Sequence, residues 1–259
     1  MNSNPRKKQP EVVETRDGSH TLYSPRFDQH YHNPNGAVAE SRHVFFDTSG
    51  LTSRLSTATE VRILEVGFGT GLNLLLLLDE YLASGSSARI SYHSIEAWPV
   101  PAAVADSFNY REHIRHPELA DRLPEIFNAL TPGPNYFQPL SGVDLQVFYG
   151  LFEEYKPGSF RADFIFHDAF SPEVNEELWT GDTFQKLKNC SAADVVLATY
   201  CAASRARGAM AWAGWHVARA QGALGKREMT MASLNPDKLE GFKRVHEQRL
   251  AERYERGDF

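Results

Sequence analysis

A glycine-rich turn between an apolar strand and a helix constrains the fold of this chain more than any other feature. The segment VRILEV (61–66) is short and rich in β-branched residues, which predicts a strand, and LNLLLLLDEYLAS (72–84) predicts a helix. Between them lies GFGTG (67–71), whose glycines allow a tight turn and let a ligand approach the backbone closely. The free N–H groups at the start of such a helix also favour an anionic or polar ligand.

The rest of the chain alternates predicted strands and helices. This alternation predicts a parallel sheet with right-handed crossovers, and the last two strands lie too close together for a crossover helix, so they should pair antiparallel. Five parallel strands ending in an antiparallel hairpin are typical of the α/β, Rossmann-like class I methyltransferase fold. After the first strand, further strands are predicted at 89–98, 143–150, 161–168, 194–200, 214–222 and 227–233, and helices at about 100–110, 117–130, 174–189 and 203–213.

Composition and pattern divide the chain into four segments. Residues 11–23 predict a hairpin, an N-terminal β extension, and residues 24–37 are too irregular and aromatic-rich for a regular element. The four segments are a disordered tail (1–10), an N-terminal hairpin with a substrate-side loop (11–60), an S-adenosyl-L-methionine (SAM)-binding methyltransferase domain (61–235) and a charged C-terminal helix (236–259).

Composition excludes several classes of protein. The chain has 259 residues, of which 42% are hydrophobic and 23% charged, as in ordinary globular proteins. It contains no apolar run long enough to span a membrane and no apolar segment behind its basic N-terminus, so neither a membrane protein nor a signal peptide is expected. Cys190 and Cys201 lack metal or redox spacing, which favours a reducing cytoplasm. The net charge of −6 argues against nucleic acid as a default partner, although a local basic patch would suffice.

The glycine pattern favours one class of nucleotide over another. The dinucleotide pattern G-x-G-x-x-G fails here, because the third glycine is Gly71 rather than residue 72. An acid in the first strand, Glu65, followed by G-x-G-x-G suits SAM better than NAD. A purely structural tight turn remains an alternative interpretation of the same residues.

Two more acids stand at predicted strand ends. Glu96 ends the second strand, where a carboxylate can accept hydrogen bonds from both ribose hydroxyls of a nucleoside; a solvated loop acid is the alternative. Asp168 ends the fourth strand, at the sheet edge where ligands bind in open α/β folds. An acid there is costly to bury unless it serves a partner, although it could instead cap the following helix.

Two other clusters give weaker signals. Tyr31 lies between two histidines, but adjacent side chains point apart and no third ligand follows, so substrate contacts are favoured over a metal and no metal is predicted. Lys226 and Arg227 could bind phosphate or form a solvated basic turn. The loop after Asp168 adds Phe170, Ser171, Pro172, Asn175 and Trp179.

Several of these segments together resemble a known family. These segments lie within residues 20–234 and follow one another in the same order as in that family. They are SPRFDQHYHNPNGAVAESRHVFF, LEVGFGTGLN, SIEAWP, FIFHDAFSPEVNEELWT, LATYCAASRARGAMAWAGWHV and GKREMTMAS. They resemble the methyltransferase half of the MnmC family, bifunctional enzymes that complete 5-methylaminomethyl-(2-thio)uridine in tRNA, and its stand-alone relatives. The combination of D-A-F-S-P-x-x-N-x-x-L-W, G-F-G-T-G-L-N and K-R-E-M is specific.

The resemblance implies an activity, a cofactor and a set of site residues. It implies transfer of a methyl group from SAM to the primary amine of a 5-aminomethyl group on the wobble uridine of tRNA, with Asp168 as the active-site acid. Implied cofactor contacts are Glu65, Gly67, Phe68, Gly69, Thr70, Gly71, Asn73, Glu96, Ala97, Gly150 and Asp168. Implied substrate contacts are Tyr31, Phe170, Pro172, Asn175, Trp179, Lys226, Arg227 and Glu228. Candidate phosphate contacts are Arg205, Arg207, Lys226 and Arg227.

The chain also departs from the family. Leu151 follows Gly150 where relatives commonly carry an acid beside the adenine. The oxidase half is not in this sequence, so no FAD is expected, and the substrate should be an aminomethyl group made elsewhere. Three alternatives stay open: a methyltransferase for a small-molecule amine, an aminopropyltransferase that uses decarboxylated SAM, and a non-catalytic tRNA-binding module on the same scaffold. No oligomeric state is predicted.

Overall fold

Two β-sheets and eight α-helices organise residues 10–259, the part of the chain that the computed structural model describes. The predicted disordered tail (1–10) lies outside these residues except for its last position. The strands are β1 (Glu11–Glu14), β2 (His20–Ser24), β3 (Gln29–His30), β4 (Glu60–Val66), β5 (Arg89–Glu96), β6 (Gly133–Leu140), β7 (Val143–Tyr149), β8 (Ala162–His167), β9 (Ser191–Thr199), β10 (His216–Ala220), β11 (Met229–Ser233) and β12 (Lys243–Arg244). The helices are α1 (Ala37–Ser41), α2 (Leu51–Leu55), α3 (Leu72–Ala83), α4 (Ala102–Ala105), α5 (Arg122–Ala129), α6 (Gly181–Asn189), α7 (Ser204–Trp212) and α8 (Glu247–Arg256).

The larger sheet has nine strands in the order β12-β10-β11-β9-β8-β4-β5-β7-β6. Strands β7, β5, β4, β8 and β9 are parallel, and β11 is inserted antiparallel between β9 and β10. The predicted α/β fold, with five parallel strands and a terminal antiparallel hairpin, is therefore confirmed. Because β4 and β8 are neighbours, the turn after β4 and the loop after β8 emerge side by side at the carboxyl edge.

Helix α3 carries leucines on every side, and its first two turns are covered on every side. Its residues 72–79 are all buried. One face packs on the sheet, and the other is covered by α1 and by a 3₁₀ turn at Pro117–Asp121. A helix without a polar face has to be enclosed in this way, which explains the long segment between β5 and β7 and the helices of the N-terminal segment.

The N-terminal segment shares the core of the larger sheet. Strands β1–β3 form a separate antiparallel sheet, and the chain then continues through α1, a π-helical turn (Arg42–Asp47) and α2. Phe45 and Phe46 lie against Phe166 of β8, with ring centroids 5.0 and 5.9 Å apart. This packing fixes the loop between β2 and β3 above the carboxyl edge of the sheet.

Several predicted boundaries are wrong. Residues 24–60 are not only a loop, since they contain β3, α1 and α2. The predicted helix at 100–110 is only α4 (Ala102–Ala105), and the predicted helix at 174–189 begins as a 3₁₀ turn (Glu176–Trp179) before α6. The predicted C-terminal helix over 236–259 is confined to α8.

Two edge strands of the larger sheet were missed. Strand β6 contains Pro134 and Pro139, which cannot donate to a sheet and suggest a loop, yet β6 pairs only with β7 and tolerates them at the edge. Strand β12 has two residues, too few for a pattern. No helix within residues 10–259 is long and apolar enough to cross a membrane.

Candidate active site

The carboxyl ends of β4, β5, β7 and β8 surround a cavity of about 500 Å³, a size typical of small-molecule sites. Five carboxylates line it, those of Glu96, Glu153, Asp168, Glu177 and Asp182. The predicted site residues that line it are Tyr31, Gly67, Gly69, Glu96, Ala97, Gly150, Asp168, Phe170 and Asn175.

The glycine turn is hydrogen-bonded to the neighbouring strand β5 and lies close to the segment that follows β8. The backbone N–H of Gly67 donates to Ile95 O at 3.0 Å, and that of Gly69 donates to Glu96 Oε2 at 2.9 Å. Gly67 has a φ of +97°, and a Cβ atom there would lie 2.7 Å from the backbone oxygen of Asp168. Only glycine accommodates this conformation and this approach, so the turn exposes backbone to the cavity.

The Glu96 carboxylate is held by backbone donors. Gly69 N–H donates to Oε2 at 2.9 Å and Trp98 N–H donates to Oε1 at 2.6 Å, while the side chain lines the cavity. Burial raises the pKa of Glu96. Each oxygen has a second lone pair that can accept a hydroxyl hydrogen from a ligand.

A second acidic group is built from Glu65, Asp168 and the amide of Asn73. The Nδ2 atom of Asn73 donates to Glu65 Oε1 at 3.0 Å and to Asp168 Oδ2 at 2.9 Å, and Ser94 Oγ donates to Glu65 Oε2 at 2.6 Å. Burial raises the pKa of Glu65 to about 7. Burial, and then the nearby charges of Glu65 and Glu40, raise the pKa of Asp168 well above its ordinary value. A cationic ligand beside this pair would be stabilised by both carboxylates.

The raised pKa of Glu65 predicts that the free energy of unfolding depends on pH. Between an ordinary pKa of 4.5 and its folded value of about 7, Glu65 holds a proton in the folded state that the unfolded chain has released. The stability from this group is therefore present below pH 4.5 and is lost as the pH rises to about 7, by ~3 kcal/mol in all. We expect Glu65→Gln to remove this part of the pH dependence, measured by denaturant unfolding without ligand.

The matched control for that experiment is Glu60→Gln. Glu60 begins the same strand and is exposed. Its substitution should leave the pH dependence of the unfolding free energy as in the parent. A Glu65→Gln curve parallel to that of the parent would contradict the assigned shift.

Aromatic side chains from the N-terminal sheet close one side of the cavity. The Phe170 ring lies 4.6 Å from that of Phe27 and 4.9 Å from that of Tyr31. The backbone N–H of Ser171 donates to Gln29 Oε1 at 3.1 Å, which attaches the loop after β8 to this segment. Tyr31 was predicted at the site and Phe27 was not, because no periodic pattern distinguishes it within an irregular stretch.

A stack between an arginine and a tryptophan attaches the N-terminal segment to the opposite side of the cavity. The guanidinium carbon of Arg26 lies 3.4 Å from the Trp98 ring centroid, and Trp98 lines the cavity after β5. Such a stack on a half-exposed ring contributes about 0.5–1 kcal/mol. Neither residue was predicted from the sequence as part of the site.

The floor of the cavity contains residues that the sequence did not indicate. Lys186 of α6 donates from Nζ to the backbone oxygens of Phe152 and Glu153, at 2.6 and 2.7 Å, and burial lowers its pKa. It thereby holds the loop after β7 against the cavity. Further unpredicted lining residues are Ile95, Leu151, Phe152, Glu153, Glu177, Leu178, Thr180, Asp182 and Thr183.

We expect Lys186→Met to weaken SAM binding about tenfold, because the loop after β7 loses its two charge-assisted hydrogen bonds. Isothermal calorimetry with SAM measures the effect. Lys188→Met is the matched control, since Lys188 lies on the same helix but donates to Ala213 O, away from the cavity. Equal SAM affinity in the two variants would show that Lys186 does not shape the cavity.

A second cavity of about 630 Å³ adjoins the first. The loop after β8 separates them, since Ala169 and Phe170 line the first and residues 171–173 line the second. Tyr200 OH donates to Ala169 O at 2.8 Å. The predicted substrate residues Pro172, Lys226, Arg227 and Glu228 line this second cavity.

Two of the four charged residues that line the second cavity, Lys226 and Glu228, form ion pairs. Lys226 Nζ lies 2.7 Å from Glu40 Oε1 and 4.9 Å from the Tyr200 ring centroid. Glu228 pairs with Arg207 and Arg219 at 3.0 and 3.2 Å.

Of the candidate phosphate contacts, one is excluded by burial and another is already paired. Only 3% of the Arg207 side chain is exposed, and its guanidinium is used by Glu228, Thr230 and the backbone. The prediction that it contacts phosphate is therefore wrong. Arg205 pairs with Glu176.

Some predicted residues support the cavity without lining it. Phe68 packs against Phe127 at 5.2 Å, and Thr70 Oγ1 accepts a hydrogen bond from Tyr110 OH at 2.9 Å. Trp179 is buried, and its Nε1 donates to Phe170 O at 2.7 Å. Those that line neither cavity are Glu65, Phe68, Thr70, Gly71, Asn73 and Trp179. The side chains of Glu65, Phe68, Thr70, Asn73 and Trp179 are all buried.

The described part of the chain contains no side-chain cluster that suits metal or thiol chemistry. Within residues 10–259 no group of three His, Cys, Asp or Glu side chains could hold a metal ion. Both cysteines are buried and unbridged.

Comparisons with known proteins point to methyltransferases. A sequence-family model described as an S-adenosyl-L-methionine-dependent methyltransferase matches residues 135–235. The tRNA 5-methylaminomethyl-2-thiouridine biosynthesis bifunctional protein MnmC of Delftia acidovorans is 34% identical over 220 residues, covering 83% of this chain and 34% of that protein. The protein of the same name from Leptospira borgpetersenii is 33% identical over 218 residues, covering 81% of this chain and 33% of that protein. This chain therefore spans about a third of the length of the curated relatives it matches.

One solved structure matches nearly the whole chain. The crystal structure of MNMC2 from Aquifex aeolicus superposes with a TM-score of 0.73 and 27% identity, covering 97% of this chain and 77% of that one. The fold, the glycine turn and the family match define a class I, SAM-dependent methyltransferase. Within that class, the resemblance to the MnmC methyltransferase family is confirmed by these relatives.

Proposed function

We propose that the chain methylates the primary amine of a 5-aminomethyl group on the wobble uridine of tRNA, using SAM, to give 5-methylaminomethyl-(2-thio)uridine. The observation that carries the proposal is the position of Asp168: it lines the cofactor-sized cavity, and the loop that follows it borders a second cavity with basic residues. The names of the curated relatives, which refer to this tRNA modification, support the substrate class.

The first cavity suits SAM on physical grounds. Gly67 and Gly69 line the cavity with backbone alone, and the nearby carboxylates of Glu96 and Asp168 favour a ligand with positive charge. The Gly67 and Gly69 backbone would hold the methionine part, with the carboxyl of Glu65 behind it. Asp168 would lie beside the transferred methyl group, and Glu96 would hold the ribose. Ala97 and Gly150 would border the adenine. When bound, SAM supplies an electrophilic methyl group, and the proposed reaction needs neither FAD nor a metal.

The substrate would bind in the second cavity and against the aromatic side chains that close one side of the first cavity. Tyr31, Phe170 and Asn175 would contact the aminomethyl-uridine beside Asp168. Lys226 and Arg227 would face its phosphate, because they are the cations of the second cavity. Pro172 and Glu228 line the same space, and Glu228 acts mainly by holding Arg207 and Arg219. A cytoplasmic location is part of this proposal, because the substrate is tRNA.

Asp168 would orient the amine and accept its proton. Its raised pKa makes the ionised carboxylate a stronger base than one of ordinary pKa. As nitrogen gains positive charge from the sulfonium, the carboxylate stabilises that charge. Holding the two reactants in line contributes the larger part of the acceleration, since effective molarities of about 10⁵ M are attainable.

The deciding experiment is methyl transfer from labelled SAM to three acceptors. These are tRNA that carries 5-aminomethyl-uridine, the same tRNA without the modification, and a polyamine. We expect label only in the first, with a mass gain of one methyl group at that nucleoside. Label in the polyamine alone would instead support a small-molecule methyltransferase, the candidate that the net charge of −6 favours.

A further inference from the structure

Asn73 lies behind the cavity rather than in it. It is the second residue of α3, is 3% exposed and lines neither cavity. Both hydrogens of its amide nitrogen are nevertheless used, one on Glu65 and one on Asp168. Direct contact with the cofactor therefore does not explain why an asparagine side chain is placed here.

We infer that Asn73 is a positioning residue for methyl transfer, which orients the Asp168 carboxylate and links it to Glu65 through one shared amide. The inference rests on the proposed function insofar as Asp168 is taken as the active-site acid. It assigns Asn73 to the transfer step rather than to cofactor binding.

The two carboxylates depend on Asn73 to different extents. Among residues 10–259, Asn73 is the only side chain that donates a hydrogen bond to the Asp168 carboxylate, and it uses Oδ2. Oδ1 then remains available to an incoming amine. Glu65 keeps a second donor, because Ser94 Oγ holds Oε2 at 2.6 Å. Loss of the amide should consequently release Asp168 and leave Glu65 in place.

A neutral amide is the group that this position requires. Two buried carboxylates that share one site repel each other, so the residue between them must donate to both. A lysine would neutralise one of them, and a third carboxylate would add to the repulsion. An amide donates one hydrogen bond to each acid and adds no charge of its own.

The test compares Asn73→Ala with Ser94→Ala. Ser94→Ala removes a donor from Glu65 alone, whereas Asn73→Ala removes one from both acids. For Asn73→Ala we expect kcat to fall about tenfold to 100-fold with the KM for SAM changed less than about threefold, and for Ser94→Ala we expect kcat within about threefold of the parent. Asn73→Ser, with one donor, should recover part of the lost kcat.

A second readout does not depend on turnover. Carbon-13 NMR titration of the Asp168 carboxyl should show its pKa higher in Asn73→Ala than in the parent, because a donor to the ionised form is lost, and unchanged in Ser94→Ala. Calorimetric SAM binding by Asn73→Ala shows that the variant is folded; if it fails to fold, Asn73→Ser takes its place in both measurements.

The outcomes separate this inference from the proposed function. If the parent methylates none of the three acceptors, the proposed function fails, while the NMR titration still tests Asn73. If the parent is active but Asn73→Ala keeps its kcat and the Asp168 titration, or if Ser94→Ala reproduces its losses, the positioning role is overturned.

Discussion

Asp168→Asn is expected to lower kcat for methyl transfer by about 100-fold or more, with SAM affinity within about threefold of the parent. The amide has the shape of the carboxylate, so the hydrogen bond from Asn73 and the loop after β8 can persist. It can neither accept a proton from the amine nor neutralise the charge that develops on nitrogen. The loss therefore falls on the transfer step.

Single-turnover transfer from labelled SAM measures that rate, and calorimetry measures binding. Asp163→Asn is the matched control, because Asp163 stands at the other end of β8 and pairs with Arg62. It should alter stability but not the single-turnover rate. Turnover near the parent level in Asp168→Asn would remove Asp168 from the mechanism.

Gly67→Ala is expected to reduce SAM affinity by about 100-fold or more and to destabilise the fold by several kcal/mol. The added Cβ would meet the Asp168 backbone oxygen at 2.7 Å and its carbonyl carbon at 3.1 Å. Backbone atoms of a central strand end cannot swing aside, so either the turn or the Asp168 segment must move. Residues other than glycine are also strained at a φ of +97°, by about 1–3 kcal/mol.

Gly133→Ala separates these two effects. Gly133 has the same φ of +97°, but nothing lies within 4 Å of the added atom. It should show the strain alone, as a modest loss of stability in thermal unfolding with unchanged SAM affinity. If Gly67→Ala matches Gly133→Ala in both measurements, the close approach of turn and strand is not what forms the binding surface.

The parts of the site that could be predicted lie next to strand ends in the sequence. Gly67, Glu96 and Asp168 each follow a recognisable apolar strand, and parallel strands bring their carboxyl ends to one edge. Local pattern and topology together were sufficient for them. The antiparallel pairing of β10 and β11 could be predicted because a short connection allows nothing else.

The remaining parts depend on tertiary packing. Lys186 reaches the cavity from the middle of an amphipathic helix, where its spacing is that of any surface lysine. Lys226 and Glu40 form their ion pair across 186 residues of sequence. Phe27 and Arg26 occupy an irregular loop whose position is set by packing between Phe45 and β8. No periodicity encodes such contacts.

The carboxylates that line the cofactor cavity affect how the by-product is released and replaced by a new methyl donor. Transfer of the methyl group turns a sulfonium into a neutral thioether, so the spent ligand carries one positive charge less than the donor. The lining carboxylates therefore attract the spent ligand less strongly than they attract the donor. This difference in attraction is largest where water is excluded. Release of the by-product and its replacement by a fresh donor are both favoured by charge alone.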